Sequence, residues 1–486
     1  MWAAVALVLM ACAGGCAVNP VSGRHEIAMV SRSTELELGA EQAKAVEQEM
    51  GLITGADIEI YVRGLGARLA AASPRQDVPY AFHVVDMAEP NAFAIPGHVY
   101  VTRGLLVLAN DEDELAGVLA HEIAHIAARH AVQHISRALP AGILTGLVSG
   151  VTGLASPALG GMLRAGGELA TGAFLAPYSR DQEREADRVG QEIVARAGWD
   201  PAALSRVLAT LERAAAFGKD EQRRPSFFDS HPSTPERVEA TAAYAATLSR
   251  APRAATAEAP AVFLRHLDGL VVGQGAANGI FEQTTFLHPD LGFHVRFPDD
   301  WKTANGRSHV VGATVDGRAG VVLTIAADGD DPMAGVRAFE KDLAEPVASR
   351  VEPVTLDGRP ALHLRAMAST DDGRAALEIW WTALGGHVFQ LTGVAPAAAA
   401  EAYRSAIEGV ARSFGPLGER ERDRIRELRL RLVDRRPGET LAAFAARSQT
   451  AWKPELIAIV NGGEGERAPT DGALKVAIAE RYRGAR

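Results

Sequence analysis

The stretch "GVLAHEIAHIAARH", residues 117–130, decides how this chain is read. His121 and His125 stand four apart. At about 100° per residue they lie about 40° apart on one helical face, one turn above the other. Two imidazoles so placed reach one tetrahedral zinc at roughly 2.0–2.1 Å each. Glu122 sits about 100° round from His121. Its carboxylate therefore faces the open side of such an ion rather than binding it, and there it takes a proton from a water that the metal activates. The flanking residues are apolar and small, as a buried helix requires. Asn110 is expected to cap this helix, with Asp111, Glu112 and Asp113 in the first turn, where the dipole favours negative charge. The helix is expected to run to about Arg137. On that continuous helix His130 falls about 180° and His134 about 220° from His121, so both should point away as packing or surface residues.

A third ligand has to come from elsewhere. Metzincins need glycine at 128 and histidine at 131, and the chain has Ala128 and Ala131, which excludes that class. The other solution is a glutamate on a later helix. "YSRDQEREADRVG", residues 178–190, offers Glu183 and Asp187 on one face, with Glu185 looking away. Glu183 is then the ligand and Asp187 the acceptor that holds a ligating imidazole. The same segment also reads as a solvated helix whose acids pair with Arg180, Arg184 and Arg188, and composition alone favours that reading.

Both cysteines of the 486 residues lie within the first sixteen. The body therefore has no disulfide, no cysteine nucleophile and no thiolate ligand, and a metal must be held by histidine and carboxylate. A net charge of −10 gives no electrostatic footprint for nucleic acid. Residues 2–11 are an apolar run of signal-peptide length, too short to span a bilayer. Cys16 follows Ala13-Gly14-Gly15, and "CAVNPVSG" resembles the first mature residues of envelope lipoproteins. Residues 1–16 are thus expected to be a lipoprotein signal with Cys16 lipidated, Cys12 after Leu9-Met10-Ala11 being the other candidate. By resemblance to Gram-negative lipoprotein sorting, Ala17 after it implies the outer membrane. A plain secretory signal is the alternative.

The expected architecture is multidomain. Residues 25–250 read as a mainly α domain with a small sheet: helices over 34–50, 57–74, 180–197, 201–216 and 234–249, and strands at 80–86 and 98–102. The uncharged, glycine-rich run 138–163 is expected to be a helical hairpin or part of a mobile flap over 138–177, a membrane span being the alternative that its length allows and its Pro140, Pro157 and glycines oppose. An Ala/Pro-rich linker, 250–261, ends this domain. Residues 262–415 alternate as strands around two helices, an α+β domain with an antiparallel sheet that resembles small secreted domains related to an extrinsic photosystem protein. A charged helix over 417–431 leads to residues 430–486, a βααβ segment resembling the LysM module at Gly438, Thr440, Leu441 and Asn461-Gly462.

"HEIAH" and "SRDQEREADRVG", with "NAFAIPGHVYVTRGLL" before them and "SHPSTPERV" after, resemble the zinc endopeptidase family that includes the CAAX prenyl endopeptidase, HtpX and the periplasmic BepA-like proteases. The resemblance covers residues 25–250 and implies a zincin-type (gluzincin) domain binding one zinc ion through His121, His125 and Glu183. It implies Glu122 as general base and Asp187 beside a ligand. It marks Asn91, Ala92, Phe93 and Ala94 as an edge strand for a peptide substrate, with His98 where the family usually has glycine. His231 in "SHPSTPERV" then lies near the metal, as a fourth ligand in a latent state or an oxyanion donor in an active one, with Arg237 orienting its loop. The implied function is hydrolysis of misfolded or assembling envelope proteins in the periplasm, with a lipid anchor and a peptidoglycan-binding tail. The competing reading is a non-catalytic or latched envelope chaperone or binding lipoprotein.

Overall fold

The structure, a computed structural model, describes residues 16–19, 21, 23, 25–27, 31–133, 177–217, 227–232, 235–253, 255–341, 350–370, 373–463 and 472–484. His134, the 138–163 run and all but the last residue of the expected flap lie outside them. The described residues fold as two compact units. One runs to Gly273 and takes in Leu428–Glu480; the other runs from Gln274 to Glu427 and resumes at Arg481. The 430–486 segment, read from sequence as a separate module, is thus folded largely into the first unit.

The first unit has a four-stranded sheet in the order Leu52–Ile53, Ala81–Val85, His98–Thr102, Ala92–Ile95. Ala81–Val85 runs parallel to His98–Thr102, and Ala92–Ile95 closes one edge antiparallel to it. Side chains alternate along these strands. Ala92, Ala94, Val99 and Val101 join the main core, whereas Phe93, Ile95 and Tyr100 pack on the other face with Val46 of the helix Arg32–Met50.

The HEIAH helix spans Glu112–Ala127, and every residue in it is buried. Its cap is Asp111 rather than Asn110: the Asp111 carboxylate accepts from the Glu114 amide at 2.7 Å. The helix stops ten residues short of the expected Arg137. Ala128 is its last right-handed residue, and Arg129 takes φ 59°, a left-handed conformation uncommon outside glycine. A buried ion cluster secures that turn. Arg75 binds both oxygens of Glu35 and donates to the Ile126 carbonyl, and Arg129 Nε donates to Glu35 Oε2 at 3.0 Å.

The helix Arg180–Ala197 crosses the HEIAH helix closely. It begins on a capping box in which Ser179 and Gln182 exchange side-chain and backbone bonds. Its Gly190 permits the approach, since a Cβ there would stand 2.9 Å from the His121 nitrogen and 3.0 Å from its Cα.

The helix expected over 417–431 is a short helix, Glu419–Arg424, followed by a strand, Arg426–Asp434. "RELRLRLVD" alternates with period two, and a strand satisfies that pattern where a helix would scatter it. Helices Leu441–Ser448 and Pro454–Val460 and the strand Ala473–Arg481 complete a βααβ order. Within the first unit this segment meets the start of the HEIAH helix. Lys475 is fully buried, and its Nζ donates to the Val107 and Ala109 carbonyls at 2.8 and 2.7 Å. Asn461 holds Lys475 in place by bonding its backbone N–H and C=O.

The second unit has a seven-stranded antiparallel sheet, from Lys302–Asn305 at one edge to Glu352–Leu356 at the other. Its alternating residues form two cores. Val321, Leu323 and Trp380 face the helix Ala400–Ser413, and Val322, Ile379 and Trp381 face the helix Pro332–Glu340. Among the described residues no helix is long and apolar enough to cross a membrane.

Candidate metal centre

Four buried side chains from three segments converge: His121 and His125 of the HEIAH helix, Glu183 of Arg180–Ala197, and His231 just after the helix Phe227–Ser230. His121 Nε2 lies 3.0 Å from His125 Nε2, 3.3 Å from His231 Nδ1 and 3.6 Å from Glu183 Oε2. Glu183 Oε1 lies 3.4 Å from His125 Nε2 and 3.1 Å from His231 Nδ1. A tetrahedral ion with bonds of about 2.05 Å has ligand–ligand edges of about 3.3 Å. The donor set therefore fits one zinc-sized cation. Glu122 is fully buried beside it, and neither carboxylate oxygen has a hydrogen-bond partner among the described residues. His231 Nε2 stands 3.5 Å from Glu122 Oε1.

Outer groups hold these donors. Asp187 Oδ1 lies 3.0 Å from His121 Nδ1, on the side of the ring away from the cluster. Arg237 clamps Asp187 with two bonds of 2.7 Å and reaches Glu183 Oε2 at 2.7 Å. Its Nη1 also meets the His231 carbonyl at 3.4 Å, so Arg237 ties the His231 loop to the helix of Glu183. The Tyr178 ring stacks on His125 with centroids 4.0 Å apart.

The electrostatics suit a cation. Burial pushes His125 well below its ordinary value, which favours the neutral imidazole that a metal ligand must be. Burial alone would raise Glu183, yet His231 and the bond to His125 hold its carboxyl well below the usual range. Burial likewise opposes ionisation of Asp187, and Arg237 and His121 overcome it. Glu122 is raised, chiefly by burial.

The edge strand lies against this cluster. Its alternation turns the Ala92 and Ala94 carbonyls outward, where His231 Nε2 donates to Ala92 at 3.2 Å and the Tyr178 hydroxyl to Ala94 at 3.4 Å. Asn91 Oδ1 accepts from the Ala92 amide and the Ser230 hydroxyl. The Phe93 ring stacks on Tyr100 in the opposite core, so only its backbone belongs to this edge. His98, expected near a substrate, stacks with His83 and Tyr100 on that same far side.

The sequence misplaced one histidine. His130 is fully buried, and its Nδ1 lies 2.9 Å from His125 Nδ1. The left-handed turn at Arg129 invalidates an angle extrapolated from His121. Arg129 and His130 stand in the sequence, but nothing in their spacing announces the break. Glu185 faces away from the donors as expected and lies 3.1 Å from His130 Nε2.

Residues 59–245 match the peptidase family M48 description. The relative named "Mitochondrial metalloendopeptidase OMA1" in Saccharomyces cerevisiae is 31% identical over 254 residues, covering 46% of this chain and 70% of that protein. The chain belongs to peptidase family M48. The family uses zinc, and the four donors of this M48 chain form a group that can hold the ion. The Schizosaccharomyces pombe protein of the same name is 32% identical over 223 residues, 45% of this chain and 63% of that one. The Escherichia coli (strain K12) "Beta-barrel assembly-enhancing protease" is 28% identical over 223 residues, 45% of each chain. This M48 chain thus spans less than two thirds of the length of the last two. The solved structure of cyanobacterial PsbP from Synechocystis sp. PCC 6803 covers 30% of this chain and 98% of its own at 14% identity, with a TM-score of 0.23 that is too low to place the second unit's fold.

Proposed function

We propose that this chain is a zinc metalloendopeptidase with a gluzincin layout, in which His121, His125 and Glu183 bind the ion and Glu122 is the general base. The observation that carries the reading is the donor set with edges of 3.0–3.6 Å beside a buried Glu122 whose oxygens accept no hydrogen bond among the described residues. A bound zinc would polarise the scissile carbonyl and make a water acidic enough to attack near neutral pH. Glu122 takes the proton from that water and returns it to the leaving amine; the raised carboxyl keeps both transfers accessible. The substrate pairs as an added strand with Ala92 and Ala94, which requires His231 and Tyr178 to yield those carbonyls. Once displaced, either side chain can donate to the developing oxyanion.

His231 completes the tetrahedron, so the arrangement is a resting state. A second reading has support from the same fact, because four protein ligands are the pattern of a structural zinc site. One experiment separates them, using purified protein, an unfolded casein substrate and metal analysis. In the peptidase reading Glu122→Gln keeps zinc and loses cleavage, while His231→Ala keeps zinc and gains or retains cleavage. Full cleavage by Glu122→Gln refutes the general base. Loss of both zinc and fold in His231→Ala favours the structural site.

We place the enzyme in the bacterial envelope, acting on misfolded or assembling proteins there, in quality control or outer-membrane biogenesis. The lipoprotein-like "AGGCAVNP" and the name of the Escherichia coli relative support this. The βααβ order of the C-terminal segment supports a LysM-like module that binds peptidoglycan, and Cys16 is the proposed lipid attachment. Metabolic labelling with a fatty-acid analogue in the parent and Cys16→Ser, followed by fractionation, tests the anchor; equal labelling in both rejects it.

A further inference from the structure

His125 has an outer partner of an unusual kind. Ligating imidazoles commonly pass their second N–H to a carboxylate, a backbone carbonyl or water. His121 has a carboxylate in that place, with Asp187 Oδ1 3.0 Å from its Nδ1. His125 instead meets another imidazole: its Nδ1 lies 2.9 Å from His130 Nδ1. The far nitrogen of His130, Nε2, lies 3.1 Å from Glu185 Oε2. Asn19 Nδ2 donates to the same oxygen at 3.3 Å. Both histidines are buried, and Glu185 closes the chain near the surface.

The carboxylate gives this chain a direction. An ionised Glu185 accepts only, so His130 donates from Nε2. A neutral His130 then presents a lone pair at Nδ1. His125 must donate from its own Nδ1 to fill it. That leaves the lone pair of His125 on Nε2, the nitrogen that faces His121 and Glu183. The order Glu185–His130–His125 therefore selects the metal-binding tautomer and fixes the ring plane. The backbone is built to allow it. Arg129 at φ 59° turns the chain back, and the Glu35–Arg75–Arg129 cluster holds that turn. A helix continued through Arg129 would carry His130 to the far side.

We propose that His130 is a positioning residue, oriented by Glu185, that holds His125 as an Nε2 donor and so raises the affinity of the centre for zinc. The inference rests on the metal centre proposed above but not on cleavage. Its test is zinc affinity, measured by chelator competition on the purified full chain, with the thermal midpoint of the metal-free protein recorded beside it. Removing an outer partner of this kind costs about 10–100-fold in metal affinity. His130→Ala is expected to lose that much. Glu185→Ala, at a partly exposed site that tolerates truncation, is expected to lose less. His130→Gln, which can still accept the His125 proton, is expected to recover part of the loss. The double variant His130→Ala/Glu185→Ala should bind no more weakly than His130→Ala alone, since the two act in series. Zinc affinity equal to the parent in His130→Ala overturns the proposal. So do additive losses in the double variant, or a fallen metal-free midpoint with affinity intact, because those mark packing. Should His130→Ala fail to fold, Glu185→Ala and His130→Gln decide on the same measure: parental affinity in both overturns it. Glu122→Gln reports on the peptidase reading separately.

Discussion

Replacing Lys475 with methionine tests whether the C-terminal segment secures the start of the HEIAH helix. The ammonium satisfies the carbonyls of Val107 and Ala109, at the end of the short helix Arg103–Leu108 and directly before the Asp111 cap. Helix ends leave such carbonyls without intrahelical partners. Orphaning a buried acceptor costs about 1–3 kcal/mol, so two give roughly 2–6 kcal/mol. Where the pH keeps Lys475 protonated, methionine also removes a buried charge whose desolvation costs several kcal/mol, which offsets part of that loss. The net expectation is a destabilisation of about 1–3 kcal/mol, read by urea unfolding at constant slope. Lys475→Ala should lose more, because it adds a cavity. A pH signature identifies the cause. Burial depresses Lys475 below its ordinary 10.5, and Glu114 and Asp111 oppose that only in part. From the depressed value up to 10.5 the unfolded chain binds a proton that the folded chain lacks, so stability rises with pH across that window. The methionine variant lacks this contribution. An unfolding midpoint equal to the parent's at neutral and alkaline pH would refute the clamp.

Two further outcomes follow from the packing. Gly190→Ala places a methyl against the His121 backbone. It should destabilise by about 1–3 kcal/mol and weaken zinc binding, and parental values of both, by calorimetry and chelator competition, would show that the helices part freely. Stripping zinc should lower the thermal midpoint, with recovery on adding the ion back, because a ligand bound only to the folded state stabilises it in proportion to its concentration; a midpoint indifferent to zinc would place the ion outside the fold.

What the sequence disclosed depended on whether a signal was periodic. His121 and His125 could be paired because both lie inside one unbroken helix, where 3.6 residues per turn holds. Glu183 and Asp187 could be paired with each other for the same reason. Which of two readings they served could not be settled by composition, since Arg180, Arg184 and Arg188 look the same from either. In the structure Arg184 pairs with Asp181 and Arg188 with Glu192, and the inward acids take Arg237 from another helix instead. His130 was misread because one left-handed residue ends the period. The strand Arg426–Asp434, expected as helix, was visible in its alternation, but its charge density is also that of a solvated helix. Lys475 offered no signal at all. A lone lysine in "ALKVAI" is ordinary until the fold brings two carbonyls to it.

The charge balance of the centre ties these pieces together. Among the described residues, Glu122, Glu183 and Asp187 are buried with a single guanidinium beside them, Arg237. With neutral imidazoles the group is two positive charges short, and an uncompensated buried charge is expensive. The proton affinities lean toward that deficit. Glu122 is raised by burial, and His231, which burial alone would lower, is raised by Glu183 and Glu122. Another arginine would not fit between donors whose closest contacts are 3.0–3.6 Å; a compact dication would. The same balance explains the roles of the acids. Glu183 and Asp187 both contact Arg237, whereas Glu122 does so with neither oxygen and is the one left able to exchange a proton. Arg237 thus divides the three carboxylates into two held low and one left raised, the separation that the proposed general-base role of Glu122 requires.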